Sequence, residues 1–266
     1  MSTADRNGPE RAAGRGEPLG AARAAGTGEP RDARGPEVVP SADGLPGGAG
    51  FLAPLAYRAR RGDVLVDRRT ERGSPPMPTD GGRRSAVLIH VAGTGMADAR
   101  LVLEERGHRL RSQPGQFSLP GGKRDPGDRD DVHTALREAQ EETGLEPADV
   151  HVLGAFAPIP MPWRGQLVIP VLSWSVARPP LGVQDPVEVE RLVWAPLTGR
   201  DSLDDSALRR RGRLNGYDVG PVFELPEDAF VWGFTAMILE QVLVGLGLDP
   251  VPADAPPREI PPERRR

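Results

Sequence analysis

Strand-like apolar runs, a helix, further strand-like runs and a second helix follow one another along this chain, an order that predicts an α+β or α/β sandwich. Three observations carry that expectation. Ser85–Val91 is a continuous apolar run, as in a buried strand. Within Gln166–Val176, Leu172, Trp174 and Val176 alternate with Ser173 and Ser175, the period of a half-buried strand. Asp131–Thr143 places Val132, Leu136, Ala139 and Thr143 on one helical stripe suited to a core.

Residues 1–49 are rich in Ala, Gly, Pro, Arg and Glu and almost free of aromatic and β-branched side chains. Such a composition buries too little apolar surface to offset its ordering entropy, so a solvated tail is expected. Phe51–Arg61 reads as a short helix interrupted by Pro54, and Arg68–Gly82 as a loop. Strands are expected at Ser85–Val91, Arg100–Glu104, Asp149–Phe156, Gln166–Val176 and Val187–Trp194, where Val187 and Val189 alternate with Glu188 and Glu190. Asp228–Leu246 reads as a helix apolar enough to pack on a sheet, and Pro250–Arg266 again has the composition of a tail. The expected organisation is a disordered tail over 1–49, one domain over 50–248 and a second disordered tail over 249–266. No internal repeat is present.

Composition narrows the function classes. The chain has 266 residues, and its 33 Gly and 30 Pro make almost a quarter of it, so the folded part is expected to be shorter than the whole. With no Cys, disulfides, Cys-ligated zinc, iron–sulfur clusters and thiol nucleophiles are excluded. A net charge of −4 gives no bulk electrostatic reason for nucleic-acid binding. No apolar run reaches the roughly 18–20 residues of a membrane span, and no basic-then-apolar leader is visible, so a soluble cytoplasmic protein is expected.

The chemistry concentrates in residues 119–145. Asp130 or Asp131 suits the N-cap of the helix, and Gly144 the left-handed position after its end. Glu138, Glu141 and Glu142 share a face at i, i+3 and i+4, where like charges repel. Arg137 offers one compensating charge. Alone, this pattern reads as a solvated acidic face; a divalent cation would also resolve it, since Mg²⁺ and Mn²⁺ prefer carboxylate oxygens. Pro120-Gly121-Gly122 just upstream places flexible backbone where a carbonyl can approach a metal or amides can meet a phosphate.

Together these features resemble the Nudix box, G-x5-E-x7-R-E-U-x-E-E-x-G-U with U apolar. Arg137, Glu138, Ala139, Glu141, Glu142, Gly144 and Leu145 match its right half, and Gly122 its first glycine. Asp128 stands where Glu is usual, with one extra residue before Arg137, a variant typical of the coenzyme A pyrophosphatase branch. That branch carries an upstream motif, L-L-T-x-[ST]-[SA]-x3-R-x3-G-x3-F-P-G-G. Arg111, Gly115 and Pro120–Gly122 match its second half, with Leu119 in place of Phe. In the first half Val102-Leu103 keeps the apolar pair, whereas Glu104, Arg106 and Gly107 replace Thr and small hydroxyl residues. Trp232–Ala236 resembles a segment common on the branch's last helix, and the similarity runs from about residue 50 to 248.

The resemblance implies a Nudix α/β/α sandwich with a mixed sheet, the box forming loop–helix–loop, and a diphosphatase dependent on Mg²⁺ or Mn²⁺. In the leading reading it cleaves coenzyme A or its thioesters to 3′,5′-ADP and a 4′-phosphopantetheine product. The alternatives are another nucleoside diphosphate derivative (ADP-ribose, NADH or a nucleoside triphosphate) and a non-catalytic Nudix-fold binding module. The implied metal ligands are Glu138, Glu142, Glu141 and the Gly121 carbonyl. Glu142, Glu141 and Arg137 form the catalytic set, with Asp128 as the salt-bridge partner of Arg137. Arg111, Gly121, Gly122 and Lys123 are the substrate-binding candidates, and Arg109 stays open. The general base is left among Glu142, Glu188 and Glu190, the latter two also readable as the solvent face of a strand. His90, His108, His133 and His151 lack metal-ligand spacing, and those in strand-like runs read as packed. Trp163, after the Pro158–Pro162 loop, reads as an adenine-stacking residue or an ordinary core or surface Trp. The expected partner is a small molecule, not nucleic acid or membrane, and no oligomeric state follows.

Overall fold

The computed structural model describes residues 44–66 and 82–265, with the Trp163 side chain excepted. Of the tail expected over 1–49, residues 1–43 lie outside the described residues, whereas Ala49 is buried in the core and Leu45 packs against it. Of the loop expected at Arg68–Gly82, residues 68–81 lie outside the described residues.

In chain order the elements are α1 (Ala53–Arg60), β1 (Arg83–Ala92), β2 (Arg100–Arg106), β3 (Phe117–Ser118), β4 (Gly121–Lys123), α2 (Asp131–Thr143), β5 (His151–Ala155), β6 (Ile159–Met161), β7 (Gln166–Ser175), β8 (Val189–Pro196), β9 (Arg209–Leu214), β10 (Tyr217–Leu225), β11 (Ala229–Val231), α3 (Gly233–Gly245) and β12 (Pro257–Glu259). Eight strands form a mixed sheet whose spine runs β3-β2-β1-β7-β5, with β4 on β1, β6 on β7 and β8 on β2. β1 and β7 pair in parallel along their whole length, from Arg83 opposite Gln166 to Ala92 opposite Ser175. A second sheet runs β11-β10-β9-β12.

The alternation of side chains along β1 and β7 sorts the core into two layers. Ala86, Leu88, Ile169 and Val171 pack beneath Ala135 and Ala139 of α2. Ile89, Val91, Leu172 and Trp174 point the other way, into a larger cluster with Leu55 of α1 and Leu239 and Leu243 of α3. Each such buried Leu or Ile contributes about 1.5–3 kcal/mol. The result is the α/β/α sandwich with a mixed sheet that the sequence led us to expect.

Several local expectations are corrected. Pro54 does not interrupt α1; it occupies the first turn, where its missing N–H has no intrahelical partner to lose. The last helix starts later than Asp228, because residues 229–231 pair with β10 and Gly233, at φ 66°, turns the chain into α3. The β9–β10 hairpin was not foreseen. Its turn residues Asn215 and Gly216 both have positive φ (52° and 82°), the geometry of a tight hairpin turn, yet the arginine-rich β9 hides the strand pattern.

The stretch expected as a C-terminal tail is packed instead. β12 runs parallel to β9, Val251 and Ile260 are buried, and Ile260 joins Val222 and Phe230 in a small cluster. Two well-placed apolar side chains and a strand ladder outweigh a Pro/Arg-rich composition here. Farther along, the Arg264 guanidinium donates to the Gly115 carbonyl, and the Gln116 side chain donates to the Arg264 carbonyl at 3.1 Å. The C-terminal segment therefore clasps the loop between β2 and β3.

Candidate active site

α2 is built as its sequence dictates. Asp130 is the N-cap and accepts from the His133 amide at 2.8 Å, while Gly144 ends the helix at φ 70°. Asp131, the other capping candidate, pairs with Arg84 of β1 and fastens the helix to the sheet.

Asp128 organises the turn before α2. Its buried carboxylate accepts from the Asp125 amide, Thr134 Oγ1, His133 Nδ1 and the Arg137 guanidinium, at 2.9 to 3.1 Å. The Arg137 guanidinium, with those further donors, holds the Asp128 carboxyl well below the usual carboxylate range. Arg137 also reaches Glu138 at 3.0 Å, Glu141 at 2.7 Å and the Lys123 carbonyl at 3.0 Å. The expected Arg137–Asp128 pair is present and is far more than a surface contact.

The three motif glutamates do not share one environment. Glu142 is buried and its Oε2 accepts from the Gly121 amide at 2.8 Å. Glu138 is half-buried, and Glu141 is exposed and bonded to Arg137. Pro120-Gly121-Gly122 is not the flexible hinge we expected, because residues 121–123 pair with β1. Glycine serves close approach instead: a Cβ on Gly121 would lie 2.3 Å from the Ala86 carbonyl, and one on Gly122 would lie 2.4 Å from the Glu138 carboxylate.

A cavity of about 450 Å³ opens over this floor. Gly121, Gly122, Lys123, Glu138 and Glu142 line it, so most expected site residues are brought together. Arg106 and Arg164 add positive charge to its wall, and Trp232, Phe234 and Thr235 an apolar face at the start of α3. Of the two carboxylates near β8 considered as general base, Glu188, in the turn before the strand, lines the cavity, and Glu190, on the strand, does not. Arg111 and Arg109 are exposed and outside the lining, although Leu110, Ser112 and Gln113 are part of it. The Trp163 side chain lies outside the described residues. Of the histidines, His90 is buried between Ser173 and Ser175, and His133 supports Asp128.

Two charged residues that read as departures in the sequence belong to this site. Arg106 is one. Glu104 of β2 is the other: it is buried, its Oε1 accepts from Ser118 Oγ at 2.9 Å, and its carboxylate lies within hydrogen-bonding reach of Glu142. Burial pushes both carboxyls above their usual range, and Glu104 raises Glu142 further. Gly107, the third departure, has a packing cause, since a Cβ there would lie 2.0 Å from the Val187 carbonyl. The apolar run Leu101–Leu103 continues directly into Glu104 within one buried strand, and that was the available signal for Glu104.

The arrangement suits a hard divalent cation. The donors on the cavity floor are carboxylate oxygens, and Glu104 Oε2 is buried without a hydrogen-bond partner. Among the described residues no three acidic or histidine side chains already converge on one ion position, and Arg137 engages both Glu138 and Glu141.

Comparison with known proteins bears on the family. A family model described as the NUDIX domain matches residues 82–207. The uncharacterized Nudix hydrolase NudL of Photorhabdus laumondii is 34% identical over 175 residues, covering 63% of this chain and 89% of that protein. NudL of Yersinia pestis is 34% identical over 168 residues, covering 60% of this chain and 78% of that protein. Among solved structures, a MutT/nudix family protein from Enterococcus faecalis gives a TM-score of 0.38 at 19% identity, covering 65% of this chain and 70% of that one.

Proposed function

This chain belongs to the Nudix hydrolase family, and from that premise we propose that it hydrolyses the pyrophosphate of coenzyme A or its thioesters, releasing 3′,5′-ADP and a 4′-phosphopantetheine product. Nudix hydrolases use divalent metal ions, and Mg²⁺ or Mn²⁺ is the ion proposed here. The observation that carries the reading is the cavity whose floor holds Glu138 and Glu142 and whose wall holds Arg106, Lys123 and Arg164. Carboxylates there suit cations, and the basic wall suits a substrate with several phosphates.

In this mechanism Glu142 and Glu138 would hold the cation, and the Gly121 carbonyl and the exposed Glu141 are proposed as further ligands. When bound, such an ion would supply neutralisation of the phosphate charge that builds up as water attacks a pyrophosphate. Arg137, anchored on Asp128, keeps the α2 carboxylates in position. Lys123, Arg106 and Arg164 take the phosphate charge, and Trp232 and Phe234 offer apolar surface to the organic part of the substrate. Glu188, which lines the cavity, is the proposed proton acceptor. Arg111, proposed from its motif position, would have to act from outside the cavity lining, so Arg106 is the better placed phosphate partner.

A second reading, hydrolysis of ADP-ribose, NADH or a nucleoside triphosphate, is favoured by Glu104 and Gly107 standing where the coenzyme A branch has hydroxyl residues. Incubating the purified protein with CoA, ADP-ribose, NADH and dATP, with Mg²⁺ or Mn²⁺ and with EDTA, and reading products by mass spectrometry separates the two. Metal-dependent 3′,5′-ADP from CoA supports the proposal. Cleavage of another substrate with CoA untouched overturns it, and no metal-dependent hydrolysis of any of them counts against both readings.

A further inference from the structure

We propose that Glu104 is an additional cation ligand, a carboxylate supplied by β2 from outside the helix that carries the motif. The proposal rests on the metal-dependent reading above and adds a residue that the motif does not contain.

Glu104 is 1% exposed, and its carboxylate lies within hydrogen-bonding reach of the buried Glu142 carboxyl. Ser118, its register partner across β2 and β3, fixes Oε1 by donating its hydroxyl hydrogen. That leaves Oε2 buried with no donor. An unpartnered carboxylate oxygen in the interior is costly, and a second carboxylate in contact with it makes the cost larger. A divalent cation between Glu104 and Glu142 turns the repulsion into coordination, and oxygen ligands are what Mg²⁺ and Mn²⁺ take. The Gly121 amide on Glu142 Oε2 and the Ser118 hydroxyl on Glu104 Oε1 each hold one oxygen of their carboxylate, leaving the other for the ion. A mere core-filling role would be better met by a hydroxyl or apolar residue, which brings no charge to desolvate.

The test is Mn²⁺ binding, followed by electron paramagnetic resonance of free Mn²⁺ and by calorimetry, together with thermal unfolding with and without Mn²⁺. In Glu104→Gln the expected result is Mn²⁺ affinity weakened by about tenfold or more, a higher Tm for the metal-free protein and a smaller Tm rise on adding Mn²⁺. Unchanged Mn²⁺ affinity in a folded Glu104→Gln protein overturns the proposal. Should that variant fail to fold, Glu104→Asp retracts the carboxylate by one methylene; weakened Mn²⁺ binding supports the proposal, and wild-type affinity overturns it. A wild-type protein that binds no Mn²⁺ overturns the underlying metal reading as well, which separates the two failures.

Discussion

Arg137 and Asp128 face each other through two hydrogen bonds, Nε to Oδ1 at 3.0 Å and Nη2 to Oδ2 at 3.1 Å. Asp128 is closed to solvent and Arg137 is partly exposed, and the pair joins the loop after β4 to the helix that bears the acidic cluster. Replacing Asp128 by Ala leaves Arg137 uncompensated and frees the His133, Thr134 and Asp125 donors. The expected loss is about 3 kcal/mol, measurable by urea unfolding, with activity falling at temperatures where the variant is still folded because Glu138 and Glu141 lose their shared anchor.

Glu142→Gln is expected to reduce turnover of the diphosphate substrate by more than about 100-fold while leaving the circular dichroism spectrum intact. An active, metal-responsive Glu142→Gln protein would contradict the assignment of the site.

Gly122→Ala separates stability from function. The atoms nearest to the added methyl belong to the far end of the Glu138 side chain, which can swing away, and Gly122 needs no left-handed backbone. Unfolding free energy should change by less than about 1 kcal/mol, whereas displaced Glu138 should weaken Mn²⁺ binding and lower kcat. Equal loss in both measurements would show that the methyl disturbs β4 itself.

His90 gives the fold a pH dependence. Burial between β1 and β7 lowers its pKa to about 4 from an ordinary 6.5. A depressed His favours the folded state fully above pH 6.5, and that contribution disappears as pH falls through 4, because the unfolded chain takes the proton first. The full swing is on the order of 3 kcal/mol. His90→Gln should flatten the difference in stability between pH 7.5 and 4.5 relative to wild type, measured by chemical denaturation at each pH.

The C-terminal clasp predicts an effect on substrate. Ile260→Ala should destabilise the protein by about 2–4 kcal/mol through its buried cluster. Arg264→Ala should act differently, raising KM more than it lowers Tm, since Arg264 holds Gly115 and Gln116 at the edge of the cavity. Parallel kinetics and melting curves on the two variants distinguish the roles.

The α2 region was legible in the sequence because its signals are local: an N-cap, a C′ glycine, helical spacing and a glycine pair. β1 and β7 were legible from their side-chain periods, though their parallel partnership was not. What stayed hidden depends on distant partners. Glu104 read as a lost hydroxyl position because only the fold brings it to Glu142, which lies on another element. The C-terminal stretch read as a tail because composition averages over Val251 and Ile260, the two residues that anchor it. The α2 carboxylates read as one face, yet the sheet beneath buries Glu142 and leaves Glu141 in solvent.

β1 and β7 meet across a separation of 83 residues, as at His90 and Ser173, and α2 lies within that interval. Closing so long a loop is entropically costly and comes late in assembly. Glu142 is held by Gly121 of β4, which depends on β1, and α2 packs on both β1 and β7. A partly assembled chain could therefore contain the whole motif as a formed helix and still lack a working centre. Regain of activity during refolding should consequently lag the return of helical ellipticity, making catalysis a clock for the last long-range strand pairing.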